Sequence, residues 1–188
     1  RLLPKKSGGY RIIGILAMVC RVWSLIREVH TRGWAKDHPN DWDADWDAAI
    51  AGNSALQEAF MKAVDHEVYH RLGAAHGFAV LDIKSFYDHI RWSKLAGAAV
   101  ELGFPGVVLL LELQLCTGPR ILSQFGAHSQ PFHATRSIVQ GLRNGVRFGR
   151  CLTHYVMDAL CKAKVVSSQR IWVDDIYLGQ RGSSAAVK

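Results

Sequence analysis

Arg170-Ile-Trp-Val-Asp-Asp-Ile-Tyr-Leu178 sets two adjacent carboxylates, Asp174 and Asp175, between two short runs of β-branched and aromatic residues. Such runs suit a pleated, half-buried surface, so the stretch reads as a hairpin with the acids at its tip. Turns favour Asp, and a solvated Asp-Asp turn is the plain reading. Neighbouring like charges repel, however, and a divalent cation would turn the two repelling groups into ligands. The rest of the chain chooses between these readings.

A second acidic site lies upstream in Gly77-Phe-Ala-Val-Leu-Asp-Ile-Lys-Ser-Phe-Tyr-Asp-His-Ile90. Phe78 to Leu81 read as a buried strand with Asp82 at its end. An acid carried on a core strand is costly unless something pairs with it. At the other end of the chain, Leu2 to Ile15 reads as strand, Ser-Gly-Gly turn, strand, which brings Lys5, Lys6 and Arg11 near one another. Clustered cations on a hairpin suit a phosphate-bearing ligand. An exposed basic hairpin is the plain alternative.

The 188 residues suffice for one domain with a sizeable core, or for part of a larger one. Hydrophobic residues make up 49% and the mean hydropathy is +0.03, which fits a globular chain. A formal net charge of +7 and a pI near 9.4 favour a polyanionic partner, nucleic acid most simply. The four cysteines are scattered with no CxxC pair, which favours a reducing interior over a disulfide framework. No signal peptide is visible, and the chain reads as intracellular, nuclear or cytoplasmic, rather than secreted. Val107 to Leu115 is the most apolar run; it is too short to span a bilayer and contains Glu112. No membrane association is expected. Both ends read as cut from something longer.

Helices are expected over Met18 to Thr31, Asn53 to Ala75, Trp92 to Leu102, Gly106 to Cys116 and Val146 to Lys162, with Pro119 to Phe125 and Gln130 to Val139 as a strand pair around Gly126-Ala-His-Ser129. Alternating acids Asp41, Asp43, Asp45 and Asp47 have the spacing of a calcium loop. Trp46 and Gly52 stand where such a loop needs Gly and Glu, so a solvated loop is the better reading. His66-Glu-Val-Tyr-His70, with Gly73 and His76, matches the H-E-x-x-H-x-x-G-x-x-H pattern of zinc metallopeptidases. There His66, His70 and His76 would hold zinc and Glu67 would act as base. That reading leaves the acid pair and the basic hairpin unexplained.

The order of these features resembles the reverse transcriptase family, and most closely its group II intron and non-long-terminal-repeat retroelement branch. Leu3-Pro-Lys-Lys-Ser-Gly-Gly-Tyr-Arg11 is similar to the fingers motif that holds the incoming triphosphate. Val80-Leu-Asp-Ile-Lys-Ser-Phe-Tyr-Asp-His-Ile90 is similar to motif A, Ser137-Ile-Val-Gln-Gly141 to the start of motif B, and Trp172-Val-Asp-Asp175 to the core of motif C. Two departures stand out. Asn144-Gly145-Val146 occupies the place where the family usually has Ser-Pro, and Trp172 replaces the usual Tyr or Phe.

The resemblance implies an α+β fold, the fingers and palm of a right-hand polymerase, with an antiparallel palm sheet backed by helices and no thumb. Residues 1–76 would be fingers-like and 77–188 the palm. It implies an RNA-directed DNA polymerase that transfers nucleotides to a primer 3′-hydroxyl. Its partners would be an RNA template, a DNA primer and deoxynucleoside triphosphates. Asp82, Asp174 and Asp175 would be the catalytic, metal-holding acids for two Mg²⁺ ions, with Mn²⁺ as a substitute. Lys5, Lys6 and Arg11 would meet the triphosphate, Gln140 would line the nucleotide pocket, and Tyr87 would exclude a 2′-hydroxyl. Arg143, Arg147 and Arg150 would follow the template-primer backbone. A truncated, inactive chain that binds nucleic acid is the second expectation.

Overall fold

In the computed structural model, the described residues are 2–4, 8, 10–12, 14–37, 46–49, 52–139, 141–164 and 166–182; for 2–4, 10–12, 36 and 37 the description is of the backbone. The chain packs as two compact units. One combines residues 1–38 with 85–152, the other 39–84 with 153–188.

The first unit opens with strands β1 (Leu2–Pro4) and β2 (Tyr10–Ile12), antiparallel with Leu3 opposite Arg11. Helix α1 (Met18–Asp37) follows and runs further than the apolar spacing indicated. After a short turn α3 (Phe86–His89) come α4 (Trp92–Glu101) and α5 (Gly106–Thr117). Gly103, at φ 67°, ends α4, and Pro105 opens α5 where its missing N–H costs nothing. Leu95, Ala99, Phe104, Val108, Leu109, Cys116 and Phe148 are buried and form much of this core. Trp34 packs edge-on against Phe104 and donates from Nε1 to Leu102 O at 2.8 Å.

The expected strand pair around Gly126 is much shorter than the sequence indicated. Only β4 (Ser123–Gln124) and β5 (Ala127–His128) pair, with an isolated bridge between Arg120 and Phe132. Beyond that bridge, backbone bonds go to the 87–90 turn instead: Ser137 N donates to Ile90 O at 2.8 Å and Ile138 N to Tyr87 O at 3.1 Å. Helix α6 (Gly145–Ala163) begins in this unit.

The second unit holds α2 (Ala55–Arg71) and the strands β3 (Ala75–Asp82), β6 (Ser168–Trp172) and β7 (Asp175–Gly182). Ser54 caps α2, its Oγ accepting from Gln57 N at 3.1 Å. The sheet order is β3-β7-β6, antiparallel throughout. On one face α2 is tied down by Arg170 Nη1, which donates to both carboxylate oxygens of Glu58 at 3.1 Å. The buried residues Trp46, Met157 and Ile171 pack together, with Leu160, Cys161 and Ile176 around them.

One expectation about this sheet fails. Phe78 to Leu81 were expected to be buried, yet Phe78, Val80 and Leu81 are 55%, 63% and 48% exposed. The strand exists, but it is the edge of a three-stranded sheet, and an edge strand has a neighbour on one side only. Among the described residues no helix is long and apolar enough to cross a membrane.

Candidate active site

The β6–β7 hairpin has a two-residue loop. Trp172 pairs with Asp175, so Val173 and Asp174 form the tip and Asp175 is the first residue of β7. Val173 has φ 61°, the left-handed value that the first loop residue of such a tight hairpin needs and that Gly usually supplies. A β-branched residue is held there at a cost.

The register of β3 against β7 runs through eight pairs, from Ala75 opposite Gly182 to Asp82 opposite Asp175. Side chains alternate across a strand, so Asp82 shares a sheet face with Asp175 and with Val80 and Tyr177 behind them. One further bond closes the corner: Ile83 N donates to Asp174 O at 3.1 Å. Chain segments about ninety residues apart are thus brought to one end of one sheet (Asp82 and Asp174).

Three carboxylates therefore sit together. Asp82 and Asp175 are exposed and Asp174 is half-buried. Partial burial, aided by the charges of Asp175 and Asp82, raises the Asp174 carboxyl above the ordinary Asp range. Among the described residues no Lys, Arg or His pairs with any of the three. Mutually repelling hard oxygen donors with no protein counter-charge fit a divalent cation.

Among the described residues no three His, Cys, Asp or Glu side chains close into a metal cage. That separates the two metal readings. A zinc peptidase needs three protein ligands within reach of one ion. Here, among the described residues, His66, His70 and His76 form no group that could hold a metal ion, and Glu67 is paired with Arg71 at 2.7 Å. Mg²⁺ is instead held by one or two carboxylates, with waters and substrate phosphates completing its shell. The acid cluster fits that second demand.

Other site residues fall as follows. Lys5, Lys6 and Gln140 lie outside the described residues, as do Asp41, Asp43 and Asp45 of the acidic loop; Arg11 is placed by its backbone, in β2. Asp47 is buried and accepts from Ala49 N through Oδ1 at 3.0 Å, which is a turn-stabilising role. Tyr87 lies in the first unit, on α3, with its carbonyl held by Ile138. A Cβ on Gly145 would stand 3.9 Å from Tyr87 Cε1, so the ring lies beside the start of α6. The Gln140-Gly141 turn is anchored too: Gly141 has φ 109°, and a Cβ there would come within 2.9 Å of Gly14 O.

Two of the arginines expected to follow nucleic acid are engaged internally. Arg143 pairs with Glu28, which also holds Arg32 at 3.2 Å. Arg147 Nη1 donates to Asn144 Oδ1 at 2.7 Å. Asn144 in turn donates from Nδ2 to Glu112 Oε1 at 2.8 Å. Glu112 is fully buried, and burial pushes its carboxyl up to about 7, against the lowering pull of Asn144, Arg147 and Ser24. Sequence reasoning used Glu112 only to argue against a membrane span. Its signal was nevertheless there, since a single charge inside a nine-residue apolar run must find a partner.

An antiparallel sheet with carboxylates gathered at one end and helices packed on it defines an acid-centred α+β domain. The reverse transcriptase (RNA-dependent DNA polymerase) family profile matches residues 3–188, and the chain belongs to that family. Among solved structures it is similar to an apo telomerase from Candida tropicalis truncated from its C-terminal domain. The identity is 12% and the TM-score 0.64, over 99% of this chain and 44% of that one. The chain thus spans less than half the length of that telomerase. No curated protein matches it in sequence.

Proposed function

We propose that the protein is an RNA-directed DNA polymerase that adds deoxynucleotides to a primer 3′-hydroxyl on an RNA template. The observation that carries this is the register that sets Asp82 opposite Asp175 with Asp174 in the adjoining turn. Membership of the reverse transcriptase family supports it. The three-stranded sheet with its acids would be the palm and the β1–β2 hairpin part of the fingers, with the division near 76/77. The motif wording favours the group II intron and non-long-terminal-repeat branch. Template, primer and nucleotides all point to an intracellular site of action, nuclear or cytoplasmic.

Asp82 and Asp174 would hold the divalent ions, with Asp175 in support. When bound, two Mg²⁺ ions lower the pKa of the primer hydroxyl and neutralise the triphosphate and leaving pyrophosphate. The chain's own contribution is placement. The β3–β7 ladder fixes where the acids stand, and the Ile83–Asp174 bond ties the turn to motif A. Lys5, Lys6 and Arg11 would offset charge on the β- and γ-phosphates, and Gln140 would line the nucleotide pocket. Tyr87 would fill the space of a 2′-hydroxyl and so select deoxynucleotides.

The test is primer extension by the full protein on an RNA template with Mg²⁺. Asp174→Asn should abolish extension and Glu67→Gln should leave it intact. An active D174N protein would sink the mechanism. Wild-type protein that binds template-primer without extending it would favour the inactive nucleic-acid-binding alternative.

A further inference from the structure

The buried acid on α5 is the strongest feature that the proposed reaction does not use. Glu112 belongs to a polar chain inside the first unit. Its Oε1 accepts from Asn144 Nδ2 at 2.8 Å, and Asn144 Oδ1 accepts from Arg147 Nη1 at 2.7 Å. Glu112 and Asn144 are 0% and 1% exposed, so neither can exchange this bond for water. On the far side Glu112 faces Ser24 of α1; among the described residues neither Glu112 Oε2 nor Ser24 Oγ has a partner in good hydrogen-bond geometry.

What Asn144 holds matters more than what holds it. It is the residue before Gly145, the first residue of α6, and the Tyr87 ring lies beside Gly145, where an added Cβ would just reach it at 3.9 Å. Gly145 N donates to Leu142 O at 3.0 Å, and Phe148 N to Asn144 O at 2.9 Å. Asn144 therefore fixes the first turn of α6, and that turn is the surface behind Tyr87. The backbone of Tyr87 is held separately by Ile138. The ring meets Phe86 edge-on at 5.3 Å, and the start of α6, which Asn144 anchors, lies on another side of it.

We propose that Glu112 is a positioning residue for sugar selection: by anchoring Asn144 it sets the start of α6 against which Tyr87 is braced. The departure from the family's usual Ser-Pro, which falls at Gly145-Val146, comes directly after this anchored amide. An amide at 144 meets the buried carboxylate, and a methyl group at 145 would only just touch the ring. This proposal rests on the polymerase reading and on Tyr87 as the gate.

The experiment compares incorporation of deoxy- and ribonucleotides by the full protein. Glu112→Met removes the acceptor at similar length and should lower the deoxy-over-ribo preference at least fivefold. Glu112→Gln keeps an amide oxygen for Asn144 and should restore the preference. In a Tyr87→Ala background, Glu112→Met should add nothing. A preference within twofold of wild type in Glu112→Met, or a full-sized further drop in the Tyr87→Ala background, would overturn the proposal. Should Glu112→Met not fold, Asn144→Ala carries the same expectations.

A readout independent of activity separates the two levels of the claim. Hydrogen exchange at the Gly145 amide should be at least tenfold faster in Glu112→Met and unchanged in Glu112→Gln. Unchanged exchange in Glu112→Met refutes the anchoring. Faster exchange in a protein that extends no primer would leave the anchoring standing while the polymerase reading fell.

Discussion

Val173 holds a left-handed φ of 61° at the tip of the acid hairpin. Strain of this kind costs about 1–3 kcal/mol and persists where the surroundings over-determine it. Val173→Gly should therefore raise stability by about 1 kcal/mol, less than the full strain because Gly also loosens the unfolded chain; urea midpoints at constant slope would show it. Asp174 stands in the opposite situation. Its carboxyl is raised by burial and by Asp175 and Asp82, so at neutral pH its charge weakens the fold. Asp174→Asn should melt higher than wild type without divalent ions, and Mg²⁺ should raise the wild-type melting temperature more than that of the variant. Equal gains in both would speak against Asp174 as a ligand. At Gly141, both the φ of 109° and the 2.9 Å approach to Gly14 O oppose a side chain. Gly141→Ala should cost about 2 kcal/mol, with urea unfolding as the check.

Among the elements, the β6–β7 hairpin was legible because its signal is local: two acids between apolar runs, with a strand period on either side. The end of β3 at Asp82 was legible for the same reason. Burial of β3 was not. Phe78, Val80 and Leu81 have the composition of a core strand, and only the order of strands in the sheet makes them an exposed edge. That order is a long-range fact which periodicity does not carry. Helix α2 shows a middle case. Its helical run is written in the sequence, while the Glu58–Arg170 pair that fastens it to β6 joins residues 112 positions apart. Ser54→Ala should lose about 1 kcal/mol in thermal or urea unfolding. The zinc pattern on the same helix was specific by spacing and still failed. Three of its groups needed one meeting point, and among the described residues His66, His70 and His76 form no group that could hold a metal ion.

For the molecule as a whole, Glu112 makes stability depend on pH. Its folded-state value of about 7 stands above the ordinary 4.5, so between those values the folded protein keeps a proton that the unfolded chain has lost. Stability from this group is complete below pH 4.5 and is lost as pH rises to about 7, by about 3 kcal/mol in all. The difference in unfolding free energy between wild type and Glu112→Gln, followed from pH 4 to pH 8, should change across that window and level off above it. A difference that stays flat would mean that the carboxyl titrates at the same pH in the folded and the unfolded chain. The positions of α1, α5 and the start of α6 around this one group were not legible, because a buried carboxylate is identified by what surrounds it.

The eight-pair ladder between β3 and β7 also works as a counting device. Substitutions along β3 change what a position looks like; a gained or lost residue changes the parity of everything beyond it. One residue inserted between Ala75 and Asp82 would turn Asp82 to the other face and leave Asp175 facing a different neighbour. The chain should thus tolerate varied side chains at exposed Phe78 and Val80, yet no length change between them and Asp82, while the β4–β5 turn at Phe125 and Gly126 absorbs insertions freely. For descendants of this sequence, spelling is negotiable along that strand and length is not.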